Sequence, residues 1–302
     1  MLVEQASLFA PDPATQIVRK GRTIEPFNLQ LLKWIGNKQK QALEIIGYFP
    51  SNFGTYYEPF LGGGGVLGVL APPRAVASDA FGALVEIWAM MHRDAETLKE
   101  WYAERHALID SMGKQDAYEH VLASYNRKPN GADLLFLCRA CYGGVVRFRK
   151  MDGYMSTPCG VHTPVPPESF NKRVDLWAER TQGTTFVHAD FAEVLARAES
   201  GDLVYCDPPY ADSQTILYGA QAFSLPRLFD TIADCKARGV HVALSIDGTK
   251  FSGGKLCQLP IPDGLFEREE FIHIGRSMLK RFQMDGRSLE DHEVADRLLL
   301  TY

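Results

Sequence analysis

The 302-residue chain predicts an α/β fold: a largely parallel sheet with helices on both faces and a long insertion between two of its strands. Three observations carry this expectation. Seven short, β-prone apolar runs alternate with amphipathic stretches, a glycine fingerprint follows the first run, and more than a hundred residues separate the second run from the third. The strands are expected at 56–59, 75–78, 185–189, 203–206, 240–246, 267–274 and 297–301. An amphipathic stretch over 38–49 precedes the first. Another over 225–238, capped by Ser224 and closed by Gly239, links the fourth and fifth. The gap between the second and third strands is far beyond a normal crossover, so a subdomain is expected there, with Pro158, Pro164, Pro166 and Pro167 marking its exit. Within it, residues 147–154 read as a hairpin turning at Asp152-Gly153.

Bulk properties narrow the class. A chain that is 46% hydrophobic and 23% charged has ample core for one large domain or one with an insertion. It contains no run of 18 apolar residues and opens with no charged-then-apolar leader, so a soluble, cytoplasmic protein with no membrane partner is expected. Six scattered cysteines suit reduced thiols. The net charge of -5 argues weakly against nucleic acid, but 126–173 holds eight Lys/Arg against three Asp/Glu. That local excess suits phosphate binding. Cys138-x-x-Cys141 and Cys159-x-x-His162 have zinc-ribbon spacing. Cys138 lies in an apolar run that reads as buried helix, where cysteine behaves as a small hydrophobe, so no metal is expected.

The chemistry concentrates at two strand ends. Asp207-Pro208-Pro209-Tyr210 follows the apolar run 203–206. The two prolines fix φ and have no N–H, so the acid and the ring are held in one extended bend. Such a tip offers a carboxylate, a free carbonyl on Pro208 and a π face, which suit a planar heterocycle with an exocyclic amine. Gly63-x-Gly65-x-x-Gly68 after the first strand, with Asp79 at the end of the second, satisfies the dinucleotide fingerprint. Taken alone it fits a nicotinamide cofactor as well as S-adenosylmethionine. The intruding Glu58-Pro59-Phe60 and the Asp-Pro-Pro-Tyr tip favour the methyl donor.

Asp207-Pro208-Pro209-Tyr210 resembles the catalytic motif of amino-group DNA methyltransferases. The run 32–38 resembles the N-terminal cofactor motif of the DNA adenine methyltransferase-like (alpha-group, N6-adenine) family, and 57–65 their glycine-rich loop. The stretch 139–160 resembles their DNA-contacting segment at Arg139, Tyr142, Gly144, Arg147, Gly153 and Pro158. The likeness departs at Asn37, where the family has Gly, and at Gly143 and Ser156, where it has Asn.

The resemblance implies a Rossmann-like, seven-stranded class I methyltransferase sheet. Residues 21–90 and 181–302 would form the catalytic domain, 91–180 the target-recognition subdomain and 1–20 a flexible tail. It implies methyl transfer from S-adenosylmethionine to adenine N6 in duplex DNA, with the base flipped out, by a monomer in a restriction-modification, orphan or phage setting. Asp207 and the Pro208 carbonyl would accept the amine's hydrogens while Tyr210 stacks on the base. Trp34 and Lys38 would lie against the methionine part, Asp79 against the ribose, and Asp190 with Phe191 against the adenine ring. Glu58, Phe60, Gly62, Gly64 and Asp207 would complete the cofactor set. Arg139, Tyr142, Arg147, Arg149 and Lys150 would contact DNA. The alternatives are cytosine-N4 methylation, a nicotinamide oxidoreductase and a catalytically silent DNA-binding protein. Tyr218 and Phe223 follow the motif in a stretch that could close over the base. Gln5-Ala6-Ser7-Leu8-Phe9 resembles the short peptide by which bacterial replication proteins dock on the sliding clamp.

Overall fold

A computed structural model describes residues 17–19, 22–209, 223–247, 251–252, 255–256, 261–275 and 294–302. A short antiparallel hairpin, β1 (Ile17–Arg19) and β2 (Arg22–Ile24), comes first. Residues 17–19 therefore belong to a paired strand and not to the tail expected up to residue 20. Residues 1–16, which include the clamp-like peptide, lie outside the described residues.

Helix α1 (Ala42–Gly47) is shorter than the stretch 38–49 suggested. The Asn37 side chain accepts the N–H of Gln39 at 2.8 Å, a local bond that competes with helix and leaves Lys38 and Gln39 in a turn. Then follow β3 (Tyr56–Glu58), α2 (Gly65–Leu70), β4 (Ala75–Asp79) and α3 (Gly82–Arg93). The expected insertion comes next, with α4 (Ala95–Met112), α5 (Lys114–Arg127), α6 (Gly131–Ala140), the turn Tyr142–Gly144 and α7 (Pro167–Arg180). The chain returns through β5 (Thr184–His188), α8 (Phe191–Leu195), β6 (Leu203–Cys206), α9 (Leu225–Ala237) and β7 (His241–Asp247). It ends with the two-residue pair β8 (Phe251–Ser252) and β9 (Lys255–Leu256), then β10 (Arg268–Gly275) and β11 (Val294–Leu300).

All seven expected strands join one sheet, in the order β10-β11-β7-β6-β3-β4-β5. Strands β3 to β7 are mutually parallel where they pair, and β11 runs antiparallel to both neighbours. This is the Rossmann-like architecture that the sequence implies. The chain leaves β3 toward β4 on one side and β6 lies on the other, so the strand order reverses there and a crevice opens beyond their carboxyl ends. β6 is buried at every position, as a central parallel strand covered on both faces requires. Because β11 is reversed, its first residues reach the carboxyl edge of β7, with Asp296 level with Asp247.

The insertion is built on aromatic packing. Tyr102 stacks on Phe170 at 4.1 Å, and Trp177 meets Trp88 and Phe27 edge-on at 5.1 and 5.2 Å. Pro166 and Pro167, expected in an irregular exit, instead start α7, with Pro167 in the first turn where no N–H is needed. The hairpin forms: Phe148 pairs with Met155 and the Arg149 N–H donates to the Tyr154 carbonyl at 2.9 Å. Gly153 turns it at a φ of 66°. Cys138 is buried in α6, its thiol donating to the Leu135 carbonyl at 3.3 Å, and burial pushes its pKa up to about 12. No helix among the described residues is long and apolar enough to cross a membrane.

The third glycine of the fingerprint, Gly68, lies under the Trp177 indole so closely that a Cβ would overlap the ring. Gly68→Ala should therefore lower stability by about 1–3 kcal/mol through overpacking. Chemical denaturation checks this, and an unchanged midpoint would mean that the indole moves aside freely.

Candidate active site

The glycine loop is shaped from below by Asp79. At the end of β4 its two carboxylate oxygens accept the N–H groups of Gly62 and Phe81, each at 3.0 Å. Gly62 and Gly64 adopt φ of 47° and 63°, left-handed values that favour glycine. Gly64 caps α2 against Trp88 and does not line the cavity, contrary to its expected cofactor role. Gly63 and Gly65 do line it, beside Asn37. A Cβ on Gly63 would lie 2.7 Å from the Asn37 amide nitrogen, and one on Gly65 would overlap the amide oxygen. Where the resembled family has Gly at position 37, this chain fills the space with a carboxamide.

Beyond β6, Asp207, Pro208 and Pro209 turn toward the same cavity. Asp207 accepts from the Lys38 ammonium at 2.8 Å, and Lys38 reaches Asp296 of β11 at 3.3 Å. The ammonium, expected against a methionine group, pairs with two carboxylates, and Lys38 also lines the cavity. Burial acts to lower the Lys38 pKa, but the charges of Asp207 and Asp296 outweigh it and hold it above the ordinary lysine range. Tyr210 and Tyr218 lie outside the described residues.

Glu58 ends β3 fully enclosed, accepting from the Tyr56 hydroxyl at 2.6 Å. Burial raises its pKa to about 8 against that hydrogen bond, with the Asp207 charge adding to the rise. Asp79 is also raised, by burial, with the N–H bonds from Gly62 and Phe81 opposing.

Phe60, Phe191 and Phe223 form an aromatic edge to the cavity, with ring centroids 5.3 to 6.1 Å apart. Asp190 does line the cavity, but its oxygens cap α8 through the Ala192 N–H and take both guanidinium nitrogens of Arg227 at 2.7 and 3.0 Å. Arg227 also lies 4.9 Å over the Phe191 ring. Phe223 and Arg227 were not among the cofactor residues expected from the sequence, because their placement depends on α9 folding back beside α8. Trp34, Phe60, Asp190, Phe191 and Phe223 are among the residues that enclose a cavity of about 280 Å³, which Arg227 does not line.

The basic segment divides. Arg139, expected at DNA, is buried: it donates to the Leu31 and Gln30 carbonyls at 2.7 and 3.2 Å and lies over the Phe170 ring. Its charge satisfies irregular backbone and does not reach a surface. Tyr142, Arg147, Arg149 and Lys150 are exposed. Arg149 pairs with Asp152 at 2.7 Å and covers the Tyr154 ring at 4.2 Å.

A switch-point sheet whose carboxyl edge gathers a glycine loop, an acid at the second strand and an Asp-Pro-Pro corner defines a Rossmann-like methyltransferase. The D12 class N6 adenine-specific DNA methyltransferase profile matches residues 34–254, and the chain belongs to that family. It is similar to a retron Ec67 DNA adenine methylase of Escherichia coli, 30% identical over 60% of this chain and 63% of that protein. It is 26% identical to a DNA adenine methylase of Vibrio cholerae over 71% of this chain and 79% of its relative. A DNA N-6-adenine-methyltransferase of Escherichia phage P1 is 25% identical over 76% of this chain, which spans only 31% of that longer protein.

The raised Glu58 pKa has a signed consequence for stability. The folded state holds a proton that the unfolded chain releases near 4.5, so this stabilisation is full below about 4.5 and lost as pH rises to about 8. Glu58→Gln should flatten the fall in melting temperature between pH 5 and 9 relative to wild type. Parallel melting curves for the two proteins across that range would contradict the assignment.

Proposed function

We propose that this chain moves a methyl group from S-adenosylmethionine to N6 of adenine in duplex DNA. The observation that carries this reading is the Asp207-Pro208-Pro209 corner, which opens into the same cavity as the glycine loop. The cavity suits the methyl donor: an aromatic edge for its adenine, the Asp79 carboxylate for a ribose, and the Asp207 carboxylate near the sulfonium. The Asn37 amide nitrogen, buried without a hydrogen-bond partner, leaves a donor unused beside the glycine loop. When bound, S-adenosylmethionine supplies an electrophilic methyl on a sulfonium leaving group. Everything else falls to the protein. Asp207 and the Pro208 carbonyl accept the two hydrogens of the exocyclic amine and turn its lone pair into the cavity, the kind of oriented positioning that accelerates transfer most. The base leaves the duplex to reach that corner, and Tyr210 is assigned to stack on it by sequence alone. Membership of an adenine-specific family favours adenine N6 over cytosine N4, and methyl transfer over nicotinamide chemistry.

The cofactor contacts are assigned to Trp34, Glu58, Phe60, Gly62, Gly63, Gly65, Asp79, Asp190 and Phe191 within residues 21–90 and 181–302. Residues 91–180 are assigned to DNA, through Tyr142, Arg147, Arg149 and Lys150. A cytoplasmic monomer suits this activity. The sliding clamp, through Gln5 to Phe9, is kept as a second partner on sequence grounds. Equal recovery of clamp by wild type and the Leu8→Ala/Phe9→Ala variant in a pull-down would remove it.

Asp207→Ala should reduce methylation of the cognate duplex by about 10³-fold or more, since it deletes an acceptor that acts on the developing charge. Single-turnover assays with labelled S-adenosylmethionine measure this, and near-normal turnover would end the reading. Arg147→Ala and Lys150→Ala should weaken DNA binding. Loss of a phosphate anchor flattens the dependence of log Kd on log salt by about 1, while loss of a base reader leaves that slope and relaxes one position of the site. Titrations at several salt concentrations separate these, and unchanged affinity in both variants would place the DNA elsewhere.

A further inference from the structure

Asp296 lies outside the cavity lining, in the last strand of the sheet, and only 5% of its surface is exposed. Its Oδ2 is 3.3 Å from the Lys38 ammonium, which also donates to Asp207 Oδ1 at 2.8 Å, and Lys38 is itself buried. One cation with three donors therefore serves two carboxylates, one at the reaction corner and one behind it. The arrangement follows from topology: β11 runs antiparallel, which carries its first residues to the carboxyl edge of the parallel strands where Asp207 stands.

We infer that Asp296 is a positioning residue for methyl transfer, fixing the Lys38 ammonium so that Lys38 in turn sets the orientation and charge of Asp207. The inference rests on the reading of Asp207 as the amine acceptor. An ammonium shared with Asp296 draws less electron density from Asp207 Oδ1 than one held by Asp207 alone, so the catalytic carboxylate stays a strong acceptor. The second tether also limits where the ammonium can move, and with it the rotation of the Asp207 carboxylate. Without the Asp296 charge, the Lys38 ammonium shifts toward Asp207, and the acceptor is both weakened and misaimed. Asp296 does not line the cofactor cavity, so such a loss falls on the reacting geometry.

A double-mutant cycle tests this, using full-length protein, a cognate duplex and S-adenosylmethionine. Asp296→Asn should lower kcat at least tenfold while KM for the duplex and for the methyl donor each stay within threefold. Asp296→Glu should recover part of the rate. In a Lys38→Met background, Asp296→Asn should cause no further loss, because the ion it acted through is gone. Wild-type kcat in Asp296→Asn, or an equal loss with and without Lys38, would overturn the inference. So would a kcat loss matched by a collapse of the melting transition that Asp296→Glu does not relieve. Should Asp296→Asn fail to fold, Asp296→Glu alone decides: folded protein with a displaced carboxylate must show a kcat loss with KM retained, and unchanged kcat overturns the proposal. Asp207→Ala, run alongside, tells the two levels apart. An active Asp207→Ala protein removes the underlying reading, whereas an inactive one beside a fully active Asp296→Asn protein removes only the role of Asp296.

Discussion

The burial of one ammonium between two carboxylates is the constraint on which the site depends. Lys38, Asp207 and Asp296 come from the N-terminal segment, the end of the central strand β6 and the start of β11. Removing Lys38 leaves the Asp207 and Asp296 carboxylates without the ammonium between them, which costs far more than an exposed ion pair would contribute. The three segments are therefore locked together by electrostatics wherever the sheet forms. The same pairing fixes which way the Asp-Pro-Pro corner faces, because the prolines leave the backbone little freedom to compensate.

The insertion contributes to that lock as well as to any surface for DNA. Residues 29–31 are irregular backbone whose carbonyls need donors. Trp177 supplies one to Leu29 at 2.6 Å, Arg173 and Arg139 reach Gln30, and Arg139 reaches Leu31. Helices α6 and α7 thus hold the segment that leads into Trp34 and Lys38. The hairpin is joined to this frame at a narrow neck, where the Tyr142 N–H donates to the Pro158 carbonyl and the Gly160 N–H to that of Ala140. Its exposed arginines and lysine are carried by a base that shares the aromatic core of the sheet.

Much of the fold was legible because period and punctuation are local properties. Each expected strand matched an observed one to within three residues, since buried parallel strands read as short apolar runs bounded by turn residues. Ser224 caps α9 through the Arg227 N–H, and Gly239 ends it at a φ of 78°, as their residue types suggest. The errors fell where a side chain bonds locally or over long range. Asn37 shortened α1, and residues 17–19 found a partner strand close by. Arg139 had the residue type of a DNA contact, and only its enclosure by α7 and the N-terminal segment made it structural.

For the site, the sequence by itself determined the chemical groups: the Asp-Pro-Pro corner, the glycine loop, Asp79 and Lys38 are each recognisable from order and spacing along the chain. It determined them because φ restriction, glycine's freedom and strand ends act within a few residues. Tertiary structure alone decided how those groups are paired. Lys38 meets Asp207 across 169 residues, Asp190 meets Arg227 across 37, and Asp296 joins them from the last strand. No local pattern encodes such pairs. They exist because strand order and a single reversed strand bring distant carboxylates to one edge, where desolvation makes each charge need the other.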